Sequence, residues 1–95
     1  MSEMISSAVE ALAAKMTGTF DGSAKFVIEG EGSIVVDSDG VHASDSDTEV
    51  TLTADADTFQ SIVDGDLDPA AAFMSGKLAV DGDMGVAMKL GSVLG

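Results

Sequence analysis

The sequence predicts an α+β domain: a five-stranded, mostly antiparallel sheet with helices packed over one face. Three observations lead there. Apolar residues recur every three to four positions at both ends of the chain and every second position between residues 24 and 54. Each later helical stretch starts at an aspartate, and the first two stop at a glycine, the residue types that start and stop helices. The 95 residues, 45% of them apolar, suffice for one small core and leave no room for a second. We therefore read residues 1–95 as a single domain.

The elements follow in order. Ile5, Val9, Leu12 and Met16 share one helical stripe, with Ser2 and Glu3 as the start signal and Gly18 as the stop. Next, "SAKFVIEG" sets Ala24, Phe26 and Ile28 against Lys25, Val27 and Glu29, the alternation of a half-buried strand. "GSIVVDSDG", "VHASD" and "TEVTLTA" supply three further strands, and the short spacers predict an antiparallel meander of all four. A helix then runs from an Asp55 cap through Phe59, Ile62 and Val63 to Gly65. Asp68, Pro69 and Gly76 frame another, with proline at its favoured first helical position. "KLAVDG" reads as the fifth strand with Leu78 and Val80 inward, and Asp83 caps a closing helix.

That closing helix is too apolar for one interface. Met84, Val86, Ala87, Met88, Leu90, Val93 and Leu94 cover roughly 220° of the wheel, where a helix with a single buried face needs about 100°. Its second apolar side calls for a crowded core, a partner subunit, a membrane surface or a bound ligand. Interfacial helices carry a broad basic face, and here Lys89 stands alone, so stable membrane insertion is not expected. Gly85 and Gly91 each cost about 1 kcal/mol against alanine, so this helix depends on packing. Met74, Met84 and Met88 supply the side chains best suited to contacts of variable shape.

Charge excludes several functions. Seventeen acids stand against four lysines and no arginine, a net charge of −13 that phosphate backbones repel, so no nucleic-acid partner is expected. Without cysteine there are no disulfides and no thiolate sites, and with no recognisable signal segment a cytoplasmic protein is expected. His42, the single histidine, lies near Ser44 and Asp45, but no nucleophile elbow accompanies it and it reads as a surface residue. Asp64, Asp66 and Asp68 have the spacing of a calcium loop, yet Pro69 and Ser75 occupy the positions that need glycine and glutamate, and no metal site is expected. "GEGSIV" lacks the third glycine of a dinucleotide fingerprint, so no cofactor is expected either.

Residues 47–94 resemble the C-terminal half of the sterol carrier protein 2 family of lipid-transfer domains. The resemblance is carried by "PAAAFMSGKL", residues 69–78, followed by "GDMGVAMKL", residues 82–90. The first half is similar only through "FVIEGEGSIVVDSDG". This resemblance implies an apolar tunnel between sheet and helices that takes fatty acids, sterols or phospholipids, with no catalytic residues. Ser75 departs from a glutamine common in the family, and Ala79 and Asp81 replace a more basic strand surface. Phe59, Phe73, Met74, Met84, Ala87, Met88, Val93 and Leu94 are the expected tunnel lining, with Ser75 and Lys77 as candidate head-group contacts. The expected partner is a lipid or another apolar small molecule. The competing reading is an assembly domain that forms a weak homodimer through the closing helix.

Overall fold

In the computed structural model, residues 3–15, 20 and 22–94 are described, without the side chains of Met4, Val93 and Leu94. The elements are α1 (Glu3–Lys15), β1 (Ala24–Ile28), β2 (Gly32–Asp37), β3 (Gly40–Ala43), β4 (Val50–Ala54), α2 (Ala56–Asp64), α3 (Pro69–Met74), β5 (Ala79–Gly82) and α4 (Met84–Leu94). They form an α+β fold around one five-stranded mixed sheet of order β3-β2-β1-β4-β5.

Alternation decides which face of the sheet is covered. Ala24, Phe26 and Ile28 of β1, Ile34 and Val36 of β2, and Val50, Leu52 and Ala54 of β4 are all buried in one apolar cluster with the helices. The α1 stripe enters it through Ile5, Ala8 and Leu12, with the expected Val9 partly buried against it. Met16 and the helix signals at Ser2 and Gly18 lie outside the described residues. From α2 come Phe59, Ile62 and Val63, and from α4 Val86 and Leu90. Phe59 meets Phe26 edge to face, with ring centroids 5.2 Å apart, a geometry that contributes about 0.5–1.5 kcal/mol beyond area burial.

The expected meander is corrected at its fourth strand. β4 does not follow β3 at the sheet edge but pairs parallel with β1, in the register Ala24↔Val50, Phe26↔Leu52 and Ile28↔Ala54. Hydrophobic matching favours this arrangement, because three fully apolar inward pairs align, whereas Val41 and Ala43 of β3 are only partly buried. The polar segment 44–49 makes it reachable. Extended, it spans roughly 20 Å, and the three inter-strand steps from β3 to β4 amount to about 14 Å. It crosses the sheet face opposite the helices as a strap. Ser33 Oγ donates to Ser44 O at 2.8 Å, Lys25 Nζ to Asp45 O at 3.3 Å, and Glu49 N to Ser23 Oγ at 3.0 Å. Val35, the cross-strand neighbour of Lys25, is 1% exposed although it points away from the helical core. The strap crosses that same face, bonded to Ser33 and Lys25.

The helix starts match the sequence signals. Asp55 Oδ1 accepts from Thr58 N at 2.7 Å, Asp68 Oδ1 from Ala70 N at 2.8 Å, and Asp83 Oδ1 from Gly85 N at 2.8 Å. Gly82 joins β5 to α4 at φ +116, where an added Cβ would sit 2.5 Å from Glu49 O. The entry of α4 is therefore fixed against the start of β4, and Asp83 N donates to Glu49 O at 2.9 Å.

Two outcomes follow. Gly82→Ala should destabilise the fold by about 3 kcal/mol, while Gly40→Ala, at the same φ of +116 but in open space, should cost about 1–2 kcal/mol. Urea titration reads the difference, and equal losses would refute the close approach of β5 to β4. Hydrogen bonds from the Thr58 amide, then from its hydroxyl, hold Asp55 below the ordinary carboxylate value of 3.8. A depressed folded-state pKa stabilises above the unfolded value and is lost as pH falls through the folded one. Asp55→Ala should thus lower the melting temperature at pH 7, with the gap closing below pH 3.8.

Candidate functional site: an apolar cavity beneath the closing helix

Helix α4 presents two faces to two different surroundings. Val86 and Leu90, one turn apart, are 6% and 0% exposed and seat the helix on the sheet. About 130° round the axis, Met84, Ala87, Met88 and Gly91 face a cavity of about 450 Å³, within the range that holds small organic ligands. Its floor is Phe26, Leu52, Leu78 and Val80 of the sheet region, with Leu90 at the base of α4. The opposite wall is α3, through Pro69, Ala70 and Phe73. As bounded by the described residues, the space is a cleft open on one side. Phe73, Met84 and Met88 at its mouth are 44%, 46% and 72% exposed.

Short helices make this geometry. Proline at the first position of α3 and the Asp68 cap start that helix abruptly, and Ser75 closes it after little more than one turn. Ser75 Oγ donates to Ala72 O at 3.1 Å, while Ala72 itself is fully buried against the core. A helix this short anchors through Ala72 and presents Phe73 to the cleft.

Of the expected lining residues, Phe73, Met84, Ala87 and Met88 do meet at the cavity. Phe59 does not. It is 1% exposed and stacks behind Phe26, one layer deeper than the cleft. Met74, 86% exposed, also falls outside the lining, since the helical step from Phe73 carries it round toward solvent. The side chains of Val93 and Leu94 lie outside the described residues. Ser75 and Lys77 sit in the turn between α3 and β5, away from the lining, and Lys77 lies close enough to Asp55 to act on its charge. Phe26, Leu52, Leu78, Val80, Pro69 and Leu90 belong to the lining without having been expected there. For Phe26, Leu52, Leu78 and Val80 the signal was the inward alternation along β1, β4 and β5, which is shared by core and cavity alike, whereas Pro69 and Leu90 come from α3 and α4.

Polar side chains are scarce here. Asp68 and Ser92 are the polar residues among the lining. Asp68 spends Oδ1 on the Ala70 amide, and Ser92 Oγ donates to Met88 O at 3.1 Å. His42 is remote from the cavity, on the outer face of the β2–β3 hairpin, with Nε2 3.6 Å from Asp37 Oδ2. Asp64 Oδ1 accepts from Gln60 Nε2 at 3.0 Å, so two of the three closely spaced aspartates are engaged at helix ends. Among the described residues no group of three potential ligands is positioned to hold a metal ion, and no helix is long and apolar enough to cross a membrane.

The SCP-2 sterol transfer family model matches residues 4–95. Hydroxysteroid dehydrogenase-like protein 2 of Xenopus tropicalis is 38% identical over 85 residues, covering 81% of this chain and 20% of that protein. Sterol carrier protein 2 of Rattus norvegicus is 40% identical over 67 residues, covering 70% of this chain and 11% of that protein. The chain thus spans about a fifth or less of the length of these relatives. Among solved structures, sterol carrier protein 2 from Aedes aegypti in complex with the C16 fatty acid palmitate superposes with a TM-score of 0.77. Its identity is 24%, with 99% of this chain and 96% of that one covered. The sterol carrier protein 2 like 2 crystal structure from the same species also reaches 0.77, at 21% identity with 95% of each chain covered. At these identities the structures establish the shared fold.

The two faces of α4 should separate in mutagenesis. Leu90→Ala should cost about 2–5 kcal/mol, whereas Met88→Ala should stay within about 0.5 kcal/mol. Comparable losses in chemical denaturation would mean that Met88 is a core residue.

Proposed function

This chain belongs to the SCP-2 sterol transfer family, and on that premise we propose that residues 1–95 act as a non-catalytic lipid carrier, taking fatty acids, sterol-like molecules or phospholipids by their apolar parts. The observation that supports it is the cleft itself, in which large apolar side chains of α3 and α4 face each other across open space. In a monomer, exposing Phe73, Met84 and Met88 together is costly unless something apolar covers them. A hydrocarbon chain does so, and each buried methylene contributes about 0.8 kcal/mol. About fifteen methylenes, as in a sixteen-carbon tail, therefore yield on the order of 12 kcal/mol, set against about 4–15 kcal/mol for association. At the low end of that cost about 8 kcal/mol remains, a micromolar Kd, and one methylene more or less changes little, so chain-length selectivity is loose. Chemistry has little to work with, because the single histidine lies on the far face of the sheet and the lining offers one carboxylate and one hydroxyl.

A second reading is supported by the same exposed rim. Met74 and Met88, 86% and 72% exposed, could pair two copies in place of holding a lipid. Native mass spectrometry separates the two, as bound lipid on a monomer supports the carrier and a lipid-free dimer supports assembly.

Saturating a folded-state site at about a hundredfold excess over Kd stabilises by about 2.7 kcal/mol, a rise on the order of 10 °C for a domain of this size. Long-chain lipid should produce such a rise in the wild-type chain. Ala87→Trp, which fills the cleft from α4, should abolish it. A flat response to a fatty acid, a fatty alcohol and a sterol alike would overturn the carrier reading.

A further inference from the structure

We propose that Met84 and Met88 form a modification site for peroxides, and that their conversion to sulfoxides closes the cleft to lipid without unfolding the domain. This deepens the carrier reading and rests on it.

Oxidisable sulfur is placed at the cleft and kept out of the core. The chain has no cysteine, so methionine supplies all of its sulfur. Among the described residues, none of the buried core side chains is a methionine. Met84 and Met88 stand one turn apart on α4, line the cleft and are exposed at its mouth. Met74 is more exposed than either but lies outside the lining.

Hydrogen peroxide supplies the step in full. The sulfur lone pair attacks one peroxide oxygen, the O–O bond breaks, and that oxygen stays on sulfur as the sulfoxide. Its proton moves to the departing oxygen, which leaves as water. Sulfur gives up two electrons and the peroxide takes them, turning a flexible apolar side chain into a polar one.

The effect depends on what covers the new group. In the empty cleft, water at the mouth solvates the sulfoxide oxygen and the fold loses little. A lipid strips that water away, and a covered polar group is costly without a hydrogen-bond partner. The polar side chains of the lining provide none. An ionised carboxylate such as Asp68 only accepts, and the Ser92 hydroxyl already donates to Met88 O at 3.1 Å. Val86 and Leu90, which seat α4 on the sheet, carry no sulfur and stay as they are. The oxidised carrier keeps its shape and loses its guest. A bound lipid in turn covers Met84 and Met88, so peroxide acts on the empty chain and blocks reloading until the sulfoxides are reduced.

The full 95-residue chain is treated with hydrogen peroxide and the excess removed with catalase. Cleavage after lysine gives residues 78–89, which carry Met84 and Met88 alone, and residues 26–77, which carry Met74 alone. Palmitate and 1-hexadecanol, below their aggregation concentrations, then displace the fluorescent probe N-phenyl-1-naphthylamine. Once residues 78–89 have gained two oxygen atoms, both lipids should bind about tenfold more weakly, a change of about 1.4 kcal/mol. The double variant Met84→Leu with Met88→Leu keeps the other four methionines. Whatever affinity it starts from, the same treatment should change it by less than about twofold, while its ligand-free melting temperature responds to peroxide as the wild type's does. Met88→Gln, a polar side chain of similar length, should weaken both lipids without peroxide. Prior loading with palmitate should slow oxygen uptake by residues 78–89 severalfold and leave Met74 unaffected. Unaltered affinity after oxidation of residues 78–89, an equal loss in the double leucine variant, or oxidation of Met84 and Met88 as fast with lipid as without it would each overturn the inference and leave the carrier reading intact. If neither lipid displaces the probe from the untreated chain, both fall.

Discussion

The seat of α4 on the sheet is the contact on which the rest depends. Val86 and Leu90 take the places available over β1 and β4, and a helix can offer only one stripe to a flat partner. Having spent that stripe, α4 still carries Met84, Ala87 and Met88 on an adjoining side. Among the described residues no second layer of strand or helix closes over them. Helix α3 stands opposite but is too short to cover the gap, and the cleft is what lies between the two. The position of α4 is in turn fixed by Gly82 and Asp83 at the start of β4, so backbone geometry at one sheet edge sets the width of a lipid-sized space.

Energetics explain why that space is open. An enclosed dry void of 450 Å³ at about 24 cal/mol per Å³ would cost about 10 kcal/mol, comparable with the whole stability of a small domain at about 5–15 kcal/mol. A cleft that admits water at its mouth avoids most of this penalty. Methionine suits such a boundary, because its unbranched, polarisable side chain fits water, a tail or a neighbour with little strain. The deeper layer is built differently. Phe26 and Phe59, locked edge to face, give the floor a fixed shape whatever occupies the space above.

Much of this was legible in the chain, because the relevant signals are local. Caps at Asp55, Asp68 and Asp83 act through hydrogen bonds to amides two or three residues away, and the alternation of β1 and β4 follows from the pleat. The excess apolar arc of α4 has its counterpart in the cleft that Met84, Ala87 and Met88 line. What escaped was set by distant partners. Phe59 and Phe73 are both aromatic residues on amphipathic helices, and only the depth at which each helix sits makes one core and the other lining. Met74 ends α3 and Met84 begins α4, and only the placement of each helix against the sheet puts one in solvent and the other in the lining. The parallel β1–β4 pairing was hidden for the same reason, although "SDSDTE" between β3 and β4 is longer and more polar than a tight hairpin needs.

The strap formed by residues 44–49 has a further effect, on the order of assembly. The β1–β2 and β2–β3 pairings close short loops and can form early, whereas β4 reaches β1 only after the intervening hairpin has been laid down and crossed. Closing that longer loop costs more chain entropy before any contact is gained. That entropic cost falls on the half of the sheet bearing β4 and β5, with α3 and α4 above it, and not on the two hairpins of β1, β2 and β3. Apart from Phe26 of β1, the residues lining the cleft all come from that costlier portion of the chain.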